Sequence, residues 1–409
     1  MKQDRLHILL IHQSFAALNE PGGTRHYELA RYLSEHGCRF TVIASPVSYL
    51  TGKTATGRAQ WSERQDLEGV TIYRTYTYTG FHRSFFHRVL SFLSFMLSSF
   101  LVGLKVRDVD IVWGTSPSIF QGATAWALAK IKRARFLFEV RDLWPAFAVQ
   151  IGVLKQPILI RASEWLERFL YRQADHVVVN SPGFLEHVRS RGARIVSLVA
   201  NGADPRMFNP DADGSEYRKQ NGLEGKFIAL YAGAHGLSND LDAVLQAAAL
   251  LSDCPDIAIV FLGDGKEKAG LISRSEAKGL KNVIFLPSIP KAEMPEALAA
   301  SDACIAILKP IPLYKTVYPN KVFDYMAAGR PVLLAIDGVI REVVEEAGAG
   351  IYTPPGDPHA LASAIRLLRN DPIYCKEIGK RGRSFVEQNF DRAVLAEKLR
   401  EIFLQVIDR

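Results

Sequence analysis

The sequence predicts an α/β protein built from two Rossmann-like, doubly wound domains in tandem, facing a cleft. Three observations predict it. Short apolar runs alternate with amphipathic helical patterns along the chain, the signature of repeated βα units around a parallel sheet. At 409 residues the chain exceeds one core of ordinary size. Residues 201–214 crowd turn formers together without periodicity, which marks a linker. With 48% hydrophobic, 23% charged and 10% aromatic residues, composition excludes a disordered, collagen-like or polytopic membrane chain.

In the first half, the apolar runs at 6–12, 39–44, 70–75, 110–114, 135–140, 176–180 and 195–200 read as strands. Helical patterns fall at 24–36, 85–105, 120–132, 157–173 and 182–191. The second half repeats the scheme with strands at 227–232, 257–262, 282–286, 303–307, 331–335 and 349–352. This reading gives an N-terminal domain over 1–205, a C-terminal domain over 206–390, and a last amphipathic helix over 391–409. That helix is carried by Val394, Leu395, Leu399, Ile402, Phe403 and Val406, and can pack back on the N-terminal domain.

Charge is lopsided. Residues 1–200 carry 25 Lys/Arg against 15 Asp/Glu, and residues 201–409 carry 25 against 28, so the excess of +7 lies in the first half. Such a face suits nucleic acid, anionic lipid or phosphorylated substrates. Cys38, Cys254, Cys304 and Cys375 have neither disulfide-framework nor zinc-ligand spacing, which points to buried thiols in a reducing compartment. The apolar run 6–12 is too short for a secretory signal and reads as the first strand of a cytoplasmic protein.

Residues 89–104 hold no charge. As a helix they reach about 24 Å, short of the ~30 Å hydrocarbon core. Ser91, Ser94 and Ser98 divide an otherwise Phe/Leu-rich surface with a polar stripe, the pattern of an interfacial or half-buried helix. Arg83, Arg88, Lys105 and Arg107 flank it, each able to gain about 1 kcal/mol near anionic headgroups. The expectation is an anionic membrane surface as partner of the first half.

Two loops after strands have the makings of phosphate sites. Gly22 and Gly23 precede a helix whose N-terminus supplies unpaired N–H groups. Gly233-Ala234-His235-Gly236 ends the first strand of the second domain in the same way. Gly263-Asp264-Gly265 ends another strand but lacks the GxGxxG fingerprint, which disfavours an NAD enzyme. Residues 314–332 set Lys315, Lys321 and Asp324 around a turn and a helix start. A cation there can neutralise a leaving diphosphate, and a carboxylate can accept from vicinal hydroxyls.

That last segment resembles the donor-binding region of retaining glycosyltransferases of family 4, which adopt the two-domain GT-B fold. The Pro21-Gly22-Gly23 loop, Asn201-Gly202-Ala203-Asp204, Gly263-Asp264-Gly265 and Gly329-Arg330-Pro331-Val332 match as well. Glu139-Val140-Arg141-Asp142-Leu143-Trp144-Pro145 and 319–329 resemble the bacterial branch that includes N-acetyl-L-fucosamine transferases of surface-polysaccharide assembly. The resemblance implies a UDP-sugar as substrate, with no cofactor and no metal, and a polyprenyl-diphosphate-linked acceptor at the inner face of the cell membrane.

Carried over residue by residue, the family's second donor-binding acid falls on Asp324, as the ribose ligand. The first falls on Thr316, which removes a charge near the transferred sugar. The basic pair that many members place in the second domain's first loop is absent. His235 and Asn239 stand there instead, so the resemblance leaves diphosphate binding to Lys321, with Lys315 or Arg330 in reserve. Tyr318 completes the donor set. No histidine stands at the strand end 138–142, so Asp142 becomes the candidate to orient or deprotonate the acceptor, with Arg25, Glu139 and Arg141 in support. A UDP-sugar epimerase of the same fold is the rival enzyme. A nucleic-acid-binding protein is disfavoured because basic and aromatic residues are not interleaved as in RNA binders.

Overall fold

The computed structural model describes residues 6–47, 61–80 and 85–409. Arg83 and residues 1–5 lie outside the described residues. The chain forms two compact units. The first comprises Met1–Ala17, Gly22–Ala200 and Ala393–Arg409, and the second Leu18–Pro21 and Asn201–Arg392.

The first unit is an eight-stranded sheet of β1 (His7–Ile11), β2 (Arg39–Ala44), β3 (Ser62–Leu67), β4 (Val70–Thr75), β5 (Ile111–Thr115), β6 (Arg135–Val140), β7 (His176–Val179) and β8 (Val196–Leu198). Its order is β3-β4-β2-β1-β5-β6-β7-β8, parallel except for β3 against β4. Chain direction reverses between β1 and β5, the switch point where sheets of this kind bind ligands. The β1 residues are buried on both sides, as expected of a central strand covered by helices on each face.

β3 was not foreseen. Its sequence, Ser-Glu-Arg-Gln-Asp-Leu, has no apolar face because it is an exposed edge strand. It is joined to β4 by Glu68 and Gly69, both at positive φ (46° and 83°), the conformation of a type I′ hairpin turn.

The helices Phe85–Lys105, Ile119–Lys132 and Pro157–Gln173 pack side by side on one face of this sheet. The helices Arg25–Glu35 and Arg392–Ile407 cover the other face. There Phe403 meets Trp113 of β5 edge-on at 5.7 Å between ring centroids.

The helix Phe85–Lys105 corrects the expected length. It has 21 residues, about 31 Å at ~1.5 Å each, so by length and composition it is able to cross a membrane. Its packing decides otherwise, because its inner side is tied to the sheet. Ser98 Oγ donates to Tyr76 O at 2.6 Å, and Tyr78 N donates to Ser94 Oγ at 2.9 Å. The serine stripe therefore faces inward, with Ser91 and Ser98 buried, while Phe86, Leu93, Leu97, Leu101 and Leu104 are exposed along the outer side.

The second unit is a six-stranded parallel sheet of β9 (Phe227–Ala232), β10 (Ile257–Leu262), β11 (Val283–Leu286), β12 (Ala303–Ile307), β13 (Val332–Ala335) and β14 (Gly350–Tyr352). Its order, β11-β10-β9-β12-β13-β14, is the doubly wound arrangement with its switch point between β9 and β12. Alternate residues of each strand enter two apolar layers. Leu230, Val260 and Leu334 lie in one, and Tyr231, Phe261 and Leu333 in the other. Residues 201–205, read as the end of the first domain, belong to the second unit. Ala203 N donates to Phe390 O and Arg392 N to Ala203 O, at 3.1 and 2.7 Å, tying the segment to that unit's last helix.

Candidate active site

In the second unit the chemistry gathers at the carboxyl ends of β9 and β10, where two glycine loops lie backbone to backbone. Gly233 N donates to Leu262 O at 2.9 Å and His235 N to Asp264 O at 2.8 Å. Gly263, at φ +148°, tolerates no side chain: a Cβ there would sit 1.9 Å from Gly233 O. Gly263→Ala is therefore expected to force the loops apart and lower the unfolding midpoint, which calorimetry tests.

Lys321, at the start of the helix Asn320–Ala327, reaches into this cradle. Its Nζ lies 3.9 Å from the Tyr231 ring centroid and 2.7 Å from where a Gly233 side chain would begin. It has no acidic partner among the described residues, and burial pushes its ammonium down to about 7. His235 is buried among Tyr231, Phe261 and Phe285, and neither ring nitrogen has a hydrogen-bond partner among the described residues. Burial, with Lys268 and Lys321 nearby, holds it down to about 4, so it is neutral at neutral pH. Asn239 Nδ2 donates to Ala234 O at 3.0 Å and so braces the loop.

The remaining residues named from the motif are dispersed. Asp324 is not an open carboxylate. Lys291 Nζ lies 2.5 Å from it, itself 5.2 Å from the Phe208 ring centroid, and Asn320 donates to it at 3.4 Å. Thr316 Oγ1 donates to Leu313 O at 2.7 Å, closing a 3₁₀ turn. Lys315 is paired with Asp337 at 2.7 Å on an exposed edge, which weakens it as a reserve cation.

Tyr318 is a packing residue. Its ring meets Phe323 and Phe390 edge-on, and burial raises its hydroxyl to about 12. Arg330 is corrected outright as a diphosphate ligand. It precedes β13, at the amino ends of the strands, where its Nη2 donates to Pro210 O at 3.3 Å.

The first unit holds a buried charge cluster at its own switch point. Glu139, at the end of β6, pairs with Arg25, and its other oxygen meets His26 Nε2 at 2.5 Å. Burial alone would raise this carboxyl, yet Arg25, His26 and Arg141 pull it down to about 2. Arg25 Nη2 also donates to Val199 O at 2.9 Å. Arg141 Nη1 lies 2.7 Å from His12 Nε2, and its guanidinium underlies Gly23, 3.9 Å from where a side chain there would begin. Gly22 takes φ +150° beside Ala16.

Asp142 follows, with Ser116 Oγ accepting from both the Arg141 and Asp142 amides at 2.8 and 3.1 Å. Burial pushes its carboxyl up to about 7 against the pull of Arg141. Burial holds both His12 and His26 below the ordinary range, His26 to about 4. Asp142 is thus the member of this cluster that changes charge near neutral pH.

His12, His26, Ser116 and Lys291 were missed from the sequence. A histidine was sought only at the end of β6, whereas His12 reaches Arg141 from the end of β1, next to β5 in the sheet. Among the described residues, no three His, Cys, Asp or Glu side chains gather in a metal-binding group, and all four cysteines are free.

Residues 22–202 match the Glycosyl transferase 4-like domain, and residues 213–385 match the Glycosyl transferases group 1 family. The chain is 25% identical over 370 residues to WcaI of Escherichia coli K12, a glycosyl transferase named for colanic acid biosynthesis, covering 87% of this chain and 90% of WcaI. Among solved structures, it is similar to a sucrose-phosphate synthase from Thermosynechococcus elongatus. That match has a TM-score of 0.77 and 19% identity, over 99% of this chain and 100% of the other. Anabaena HepE in complex with UDP-glucose gives a TM-score of 0.71 at 17% identity, over 98% and 100% of the two chains. Fold and matched domains together define the class: the protein is a glycosyltransferase built on the GT-B fold. Its first unit is the family 4-like domain and its second the group 1 domain.

Proposed function

We propose that the protein transfers a sugar, an N-acetylated hexosamine or deoxyhexosamine, from a UDP-sugar to a polyprenyl-diphosphate-linked acceptor in bacterial surface-polysaccharide synthesis. It works with retention of configuration, without a metal, as a peripheral protein on the inner face of the cell membrane. The observation that carries the donor reading is the half-buried Lys321, whose ammonium lies against Gly233 and the Tyr231 ring, beside the paired glycine loops, with no acidic partner among the described residues. A desolvated cation beside close-packed backbone suits a diphosphate, whose charge grows as the glycosidic bond breaks. The UDP-glucose complex of HepE and the name of WcaI support the donor class and the pathway. Retention follows from the resemblance, in which the leaving phosphate assists front-face attack and no protein nucleophile is needed.

Asp142 accepts the acceptor proton. A carboxyl titrating about 7 is matched to that task at neutral pH. Asp142→Asn is expected to lower kcat by roughly 10²–10⁴-fold while sparing UDP affinity. With donor saturating, so that Lys321 is held charged, kcat/KM for the acceptor rises with pH to a plateau above about 7, because the base is the deprotonated form. A profile flat across that range rejects Asp142.

The function itself is tested by label transfer from radiolabelled UDP-N-acetylhexosamines and UDP-hexoses into butanol-extractable lipid, with bacterial membranes supplying acceptor. Transfer by the wild type and not by Lys321→Ala supports the reading. Tight UDP binding with epimerised donor and no label in lipid overturns it in favour of an epimerase.

A further inference from the structure

We infer that the helix Pro157–Gln173 is a second membrane anchor, acting beside the apolar stripe of Phe85–Lys105 to hold the first unit on an anionic lipid leaflet at two points. This rests on the membrane partner proposed above and deepens it. Both helices lie on one face of the first sheet, with Ile119–Lys132 between them and packed against each. Phe92 stacks on Phe120 at 5.8 Å, and Trp126 meets Phe169 edge-on at 4.8 Å, fixing the three side by side. Small side chains such as Ala123 and Ala127 lie on the half-covered side of the middle helix, whose one large exposed apolar residue is Ile131 near its end, while the flanking helices carry the others.

On Pro157–Gln173 the outward residues are unusual for a helix that meets only water. Ile158 is 80% and Trp165 64% exposed, and the Trp165 ring is stacked flat on Phe169 at 5.5 Å. Arg161, Arg168 and Arg172 are exposed at the same helical spacing, so basic and apolar groups share one stripe. Glu164 is the acid on that side, partly covered, with Arg168 3.5 Å away. Glu167 is buried against Arg191 and His187.

Lys105 and Lys130 are exposed on the other two helices, which contain no acid at all. A tryptophan over an aromatic base, an isoleucine directly after a proline start and a row of arginines are the parts of an interfacial helix. Charge selects the occupant. Anionic headgroups complement the arginines, whereas a second copy of the same face would set like charges against one another.

The test is sedimentation with phosphatidylglycerol-rich and with pure phosphatidylcholine vesicles, in the absence of any sugar nucleotide. Failure here is therefore distinguishable from failure of the transfer reaction. Wild type is expected to pellet with the anionic vesicles and to be released by salt. Trp165→Glu and Leu97→Glu should each weaken the partition by about tenfold, and the double variant more than either. Both side chains are already exposed, so an unchanged unfolding midpoint confirms intact variants. Wild-type affinity in Trp165→Glu overturns the second anchor. Equal binding to both vesicle types overturns the charge argument. A concentration-dependent dimer that Leu97→Glu dissolves, with no vesicle binding, assigns the face to a second copy instead.

Discussion

Replacing Lys321 by alanine is expected to reduce sugar transfer by roughly 10²–10³-fold, the loss typical of removing one preorganised group from developing charge. The fold should survive, because the ammonium makes no ion pair among the described residues and its burial is a cost to the free protein. The sharper signature is in pH. In the free protein this group titrates about 7, and a bound diphosphate raises that value by favouring the charged form. Below the lower value the ammonium is present in both states and affinity is at its full level. Above it the free protein has lost the proton and binding must recover one, so UDP affinity falls by up to about tenfold per pH unit until the bound group also titrates. Isothermal titration above neutrality, in two buffers of different ionisation enthalpy, reads the uptake directly. Lys321→Arg, always charged, should bind UDP with little pH dependence. UDP affinity equal in wild type and Lys321→Ala removes this residue from the donor site.

Glu139→Gln should destabilise the first unit strongly, by about 3–5 kcal/mol, because it leaves the buried Arg25 and the half-buried Arg141 without their shared counter-charge. The sign with pH follows from the depressed carboxyl. Its folded value is about 2 against an ordinary 4.5, so its contribution is present above 4.5 and drains away as pH falls through that interval. Wild-type stability should drop there, and the variant should respond less. Tryptophan fluorescence isolates the effect, since Trp61, Trp113, Trp126, Trp144 and Trp165 all belong to the first unit. Equal stability of wild type and variant at neutral pH would mean that the cluster is hydrated and its charges nearly independent.

What the sequence disclosed depended on how locally each feature is encoded. The four inner strands of the second sheet were legible because central parallel strands are buried on both faces and read as unbroken apolar runs, and the half-buried edge strands β11 and β14 keep short apolar runs of their own. β3 was illegible because an exposed edge strand needs no apolar pattern, only a hairpin partner. In Phe85–Lys105 the serine periodicity was legible, and which side faces inward was not. A serine that returns its hydroxyl to a nearby carbonyl is compatible with burial, so hydropathy does not distinguish the two sides of so apolar a helix.

The site followed the same rule. Lys321 and the glycine loops were found because a strand end and a helix start announce themselves locally. The Lys291 partner of Asp324 and the His12 partner of Arg141 were not, since each arrives from a distant strand end or loop that only the folded sheet brings near.

The return of residues 393–409 to the first unit has a consequence for biosynthesis. The segment whose Phe403 packs on Trp113 leaves the ribosome only after the whole second unit has been translated. The unit translated first is thus the last to be completed, and until then Trp113, met at 5.1 Å by the His26 ring, waits only partly covered on that side. A nascent chain stalled after Arg392 would present this open core to chaperones, and supplying the missing helix as a separate peptide should close it.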